Sequence, residues 1–247
     1  MKQSKPFRAK TASPPRLSSL FSVSLQNKFG QKPVRSTDRL NTGSLSYKDT
    51  TLLLRERARA EAKRGNHDTA IEIFSYLIGR ESTNPKHFVN RGLMYSNLRR
   101  YDNAIADYTQ AIDLDPKCDR AFSNRANLHA IRHNWQDAIA DYDEAIDLNP
   151  LNIRARLNQA LTFREMGDYE EALICLDIAL FFRPESAVLH AEKGRTHHLQ
   201  GRWNLAVAEY TTACRLAEDS DLKDISDPGK VIRRVLYWTN SLHSIWQ

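Results

Sequence analysis

No stretch of this sequence is long and apolar enough to cross a membrane. The most apolar run, 173–182, is ten residues and still carries Asp177. Cysteine is scarce: Cys118, Cys175 and Cys214 are an odd, widely spaced set. That excludes a disulfide scaffold or a CxxC metal site and suits a reducing compartment. The N-terminus lacks the unbroken apolar core of a secretory signal. Catalytic signatures are missing as well. There is no GxxxxGK[ST], HExxH or GxSxG, and 227–230 (Asp-Pro-Gly-Lys) is only a turn with a lysine. No constellation of convergent polar groups replaces them, so the expectation is a protein that is not an enzyme and takes no cofactor or metal.

Acidic residues are absent before Asp38, and this locates the charge. The chain has 36 Lys and Arg against 30 Asp and Glu, a net of +6. Residues 1–50 hold ten of the basic side chains against Asp38 and Asp49 alone, leaving the remainder with 26 basic and 28 acidic. The excess therefore belongs to a basic arm. Pro6, Pro14, Pro15, Pro33 and many serines leave that arm too little apolar surface to offset chain ordering, so disorder is expected. Its Lys and Arg suit an anionic surface such as acidic protein tails. Leu17, Leu20, Phe21 and Leu25 share one helical stripe, so an organelle transit segment is the alternative. Nucleic acid is disfavoured, because Phe7, Phe21 and Phe29 are too scattered to make a stacking platform.

What the chain does have is a period. DNAIADYTQAIDLDP at 102–116 returns as QDAIADYDEAIDLNP at 136–150, ten of fifteen residues identical at an offset of 34. The same ruler gives five blocks, 51–84, 85–118, 119–152, 153–186 and 187–220, with no insertion. The eighth position is always Ala or Gly (Ala58, Gly92, Ala126, Ala160, Gly194), and the twentieth is always Ala. Small residues there let antiparallel helices approach closely, while large residues at the seventeenth position (Tyr101, Trp135, Tyr169, Trp203) and the twenty-fourth fill the space between. Pro116, Pro150 and Pro184 close three blocks. In period and in this small/aromatic/proline signature the sequence resembles the tetratricopeptide repeat family. The resemblance implies an all-α fold, a right-handed α-solenoid of five helix pairs.

Departures from the pattern are informative. Block 51–84 has Glu61 and His67 where others carry aromatic or histidine fillers, with Leu77 for alanine and Ser82 for proline, as a more polar N-terminal cap would. Block four places Arg156 and Gln159 at usually apolar positions, which weakens its core or marks a contact. His190, His197 and His198 crowd block five and are read as packing or surface residues rather than metal ligands. After 220 a linker leads to Val231, Ile232, Val235, Leu236, Leu242 and Ile245, the apolar stripe of a capping helix, with Trp238 and Trp246 extending it.

The first helix of each block would line a concave wall. Its sixth position is Asn90, Asn124 and Asn158 in consecutive blocks, and asparagine is a poor helix former. A carboxamide both donates and accepts, so it can grip the backbone of an extended peptide. This is similar to the asparagine ladder of peptide-binding members of the family. Asn127 is placed in the same groove, with basic residues at Arg55, Arg59, Lys63, Lys86, Arg120, Arg154, Arg164 and Arg195 against the acidic Glu56, Glu165 and Glu192. The expected partner is therefore a protein, held as an extended acidic segment. The carboxylate clamp of chaperone-binding relatives maps onto Arg55, Arg59, Asn90, Arg120 and Asn124, where Asn90 matches and Arg59 and Asn124 depart. A chaperone co-factor is thus the alternative to an adaptor. Charge and family habit suggest a cytoplasmic place in a cytoskeletal or ciliary assembly.

Overall fold

A computed structural model describes residues 46–218 and 228–243, with side chains described for 230–239 in the last segment. These residues form eleven α-helices and, among them, no strand. They are α1 (Tyr47–Lys63), α2 (His67–Arg80), α3 (Pro85–Asn97), α4 (Tyr101–Leu114), α5 (Asp119–Ile131), α6 (Trp135–Leu148), α7 (Ile153–Met166), α8 (Tyr169–Phe182), α9 (Ala187–Leu199), α10 (Trp203–Glu218) and α11 (Pro228–His243). Residues 1–45 of the basic arm, the linker at 221–226, the Leu242 side chain, Ile245 and Trp246 lie outside the described residues, while 47–50, expected in the arm, form the first turn of α1. Among the described residues no helix is long and apolar enough to cross a membrane.

Both turns of the repeat are written in local chemistry. The fifteenth position of every block has positive φ: Gly65, Arg99, His133, Gly167 and Gly201, between 57° and 90°. One left-handed residue there ends the first helix and lets the chain reverse into the second. The last position of a block caps the next first helix. Asn84 accepts from the Lys86 N–H, Asn152 from Ala155 and Ser186 from Leu189.

The chain divides into two compact units, up to Ala104 and from Ile105. In the first, α1, α2 and α3 enclose Leu54, Ala58, Ala70, Ile73, Phe74, Leu77 and Met94. The fully buried His87 bonds Glu81 at 2.9 Å, and that hydrogen bond holds the Glu81 carboxyl below its ordinary range. Arg91 on α3 donates to Ser75 Oγ on α2 at 3.0 Å.

In the second unit the helix pairs close over Ala126, Ala138, Tyr142 and Ala145, then over Ala160, Leu176 and Ala179, then over Ala191, Ala206, Tyr210 and Ala213. Tyr142, Leu176 and Tyr210, at the twenty-fourth position, are almost wholly buried. Burial of each such side chain contributes about 1.5–3 kcal/mol. The seventeenth position fills less than its size suggests. Tyr101, Trp135 and Tyr169 are half-buried, while Trp203 is 42% exposed and rests its ring 4.8 Å from that of His198. It is the first residue of α10, two residues after the left-handed Gly201.

Polar bridges at the seventh position tie consecutive second helices together. Arg125 on α5 donates to Thr109 on α4 at 3.0 Å and to both carboxylate oxygens of Asp141 on α6 at 2.8 Å. Gln159 on α7 donates to Asp143 on α6 at 2.6 Å and accepts from the Cys175 thiol on α8 at 3.5 Å. Lys193 on α9 meets Asp177 on α8 at 2.8 Å and Glu209 on α10 at 3.0 Å. Gln159 is therefore a bridge between elements and no flaw in the core.

The last helix covers the end of this unit. Val231 and Val235 are buried against Ala187, Ala213, Leu216 and Ala217. Arg234 reaches Glu192 on α9 at 3.3 Å. Trp238 lies 6.1 Å from the Tyr210 ring, with the Arg195 and Arg234 guanidinium groups 5.7 and 5.6 Å from its centroid. Leu236 corrects the expected stripe: it is 52% exposed, because Val231, Ile232 and Val235 already occupy the face turned to α10.

Candidate functional site

In the second unit, α5 and α7 run side by side with Arg120, Asn124, Asn127 and Ile131 on one stripe and Arg154, Asn158, Leu161 and Glu165 on the other. Between them lies a cleft of about 430 Å³. Its walls are Ala130, Ile131, Trp135 and Leu161, its floor is Tyr142, and Glu165 is the one carboxylate in its lining.

Two carboxamides cross this cleft. Asn127 Oδ1 accepts from the Tyr142 hydroxyl at 2.6 Å and from Asn158 Nδ2 at 2.8 Å. Burial pushes the Tyr142 phenol up to about 12, so at neutral pH it stays protonated and donates. With its oxygen doubly engaged, Asn127 has its NH₂ left over, and Asn158 its carbonyl oxygen. Neither of these atoms has a hydrogen bond to any described residue. One donor and one acceptor side by side are what a peptide unit presents in reverse.

The other sequence-derived positions are spread differently. Asn124 is half-buried about one turn before Asn127, and Arg120 and Arg154 are exposed in the first turns of α5 and α7. Arg164 and Arg195 do not face an open groove. Arg164 forms a 2.8 Å ion pair with Glu192 in which the side chains are 12% and 3% exposed, and Arg195 flanks Trp238. In the first unit Asn90 and Arg55 are half-buried, Lys63 and Lys86 exposed, and Arg59 pairs at the surface with Glu56 at 2.7 Å.

The histidines of block five serve packing. His190 bonds Glu209 at 2.6 Å and the Pro184 carbonyl at 2.9 Å. His197 and His198 are buried, and burial lowers both imidazole pKa values. The seventh-position bridges escaped the sequence reading, although Arg57, Arg91, Arg125, Gln159 and Lys193 recur at the same spacing as the asparagines.

Family models described as tetratricopeptide repeat match residues 85–118, 119–152 and 141–174. Residues 85–174 therefore carry tetratricopeptide repeats. No curated protein sequence matches it. Among solved structures, a crystal structure of MamA protein is similar at a TM-score of 0.60 and 18% identity, over 72% of this chain and 98% of that one. MamA from Desulfovibrio magneticus RS-1 is similar at 0.62 and 18%, over 70% and 98%. At that identity the likeness carries the fold alone, an all-α solenoid of tetratricopeptide helix pairs. Such repeats give the chain its coarse function, a protein–protein interaction scaffold.

Proposed function

We propose that the tetratricopeptide cleft between α5 and α7 holds an extended segment of a partner protein, and that the chain is a non-enzymatic adaptor. The observation that carries this reading is the Asn127–Asn158 pair, locked at one oxygen and open at one donor and one acceptor. A partner backbone bonded there places one side chain against Ile131, Trp135 and Leu161. Arg154 lies seven residues before Leu161 on α7, about 10 Å along the helix axis. An extended chain covers that in about three residues. The favoured segment thus carries an acidic residue near Arg120 and Arg154 and a large apolar one about three positions away. The basic arm at 1–50 tethers the adaptor to an anionic surface, such as the acidic protein tails of a cytoskeletal or ciliary assembly.

Selection of displayed random peptides on the full chain tests this. The expected consensus is an acidic and a large apolar residue at that separation, and Asn127→Asp should weaken the selected peptide about tenfold. That substitution keeps an oxygen accepting from Tyr142 and Asn158, and turns the donor into a negatively charged acceptor. Selected peptides that bind Asn127→Asp unchanged would overturn the reading.

A further inference from the structure

The apolar run at 173–182 has an inner half that the fold explains and an outer half that it does not. Leu173, Cys175, Leu176, Ala179 and Leu180 are buried inside the second unit. Ile174, Ile178, Phe181 and Phe182 are 51, 38, 81 and 41% exposed. Spaced i, i+4, i+7 and i+8, they form one apolar stripe along the outside of α8. The repeat does not require them. At the register of Ile174, Ile178 and Phe181, α4 carries Ala106, Gln110 and Asp113, and α6 carries Ala140, Glu144 and Asp147. A contiguous exposed patch of large apolar side chains marks an interaction surface.

Its surroundings specify the partner. Gln159 bonds Asp143 of α6 and Cys175 of α8 at once, which sets these two helices side by side. Residues 135–148 and 169–182 together hold eight Asp and Glu and no Lys or Arg. Glu170, Asp177 and Asp141 are bridged to Arg202, Lys193 and Arg125, while Glu144, Asp147 and Glu171 are exposed. A second copy meeting this face about a two-fold axis would set acidic surface against acidic surface, and an anionic lipid surface meets the same repulsion. A helix whose apolar stripe is edged with Lys and Arg complements both features. We propose that the outer face of α8 docks a basic amphipathic helix of a partner protein, at a site separate from the cleft between α5 and α7.

The probes are fluorescent synthetic helices about four turns long, one of leucine and lysine at amphipathic spacing and one of leucine and glutamate. Anisotropy is read on the full chain and on the variant Ile174→Ala, Ile178→Gln, Phe181→Asn, whose first two residues are those that α4 carries in the same register and whose third is the neutral counterpart of Asp113. The leucine–lysine helix should bind the wild type about tenfold more tightly than the variant, and about tenfold more tightly than the leucine–glutamate helix does. Asn158→Ala in the cleft should leave that affinity unchanged. Equal binding to wild type and variant, or equal binding of the two helices, overturns the proposal. So does loss of binding on Asn158→Ala, or a wild type that sediments as a dimer where the variant is a monomer.

Discussion

Two neighbouring interfaces of the second unit use the same register for opposite ends. Between α5 and α7, Asn127, Tyr142 and Asn158 make a neutral hydrogen-bonded group beside an open cleft. One repeat later those positions are Leu161, Leu176 and Glu192, and Arg164 turns inward to pair with Glu192. Arg234 of α11 adds a second cation to the same carboxylate. The first interface leaves one donor and one acceptor without a bond to any described residue. The second satisfies its charges internally and closes. A repeat scaffold can thus hold the same backbone while a few side chains decide which of its seams stays open and which closes.

The sharpest way to break this contrast is to unpair the closed seam. Glu192→Leu leaves Arg164 buried without its carboxylate and should cost about 3–5 kcal/mol in urea unfolding. Asn158→Ala removes a single neutral hydrogen bond at the equivalent position and should cost about 1 kcal/mol. Similar losses in the two variants would mean that the seams do not differ as described.

Packing gives the next effect. A methyl added at Gly194 would meet Tyr210 Cδ1 at 2.6 Å and Cε1 at 2.8 Å. Gly194→Ala should therefore destabilise by about 1–3 kcal/mol and lower the melting temperature. Ala126, at the same register on α5, already accommodates its methyl beside Tyr142.

The smallest effect is a pH signature confined to the closed end. The hydrogen bond to Glu209 raises the His190 pKa above 6.5, outweighing burial. A raised imidazole stabilises the fold fully below 6.5, and the contribution is lost as pH rises through the folded value. His190→Gln should then cost about 1 kcal/mol near pH 6 and progressively less above neutrality. His197 and His198 run the other way. Burial lowers both, so their contribution is present above 6.5 and lost as pH falls through their lowered values. A His190→Gln penalty that grows with pH would contradict the assignment of its partner.

The helix pairs were legible because small residues at the eighth and twentieth positions, large ones at the seventeenth and twenty-fourth, and the closing prolines act locally and repeat. The site was legible only in part. Asn158 stands out in sequence by its spacing, but its bond to Asn127 depends on how far α5 and α7 separate, which no spacing states. Arg164 and Arg195 look like groove cations until Glu192 and Trp238 are seen to hold them. Their partners sit 28 and 43 residues away, beyond the reach of a repeat register. The seventh-position bridges were within reach, since they recur at 34 residues, but a polar residue among apolar neighbours reads as a weakness until its two partners are known.

The most direct test of the central claim is to follow the Asn side-chain amide resonances of the full chain while a selected peptide is added. The account predicts that the Asn127 and Asn158 amide signals shift together, at the same peptide concentration. Shifts confined to other asparagines, with those two unmoved, would contradict it.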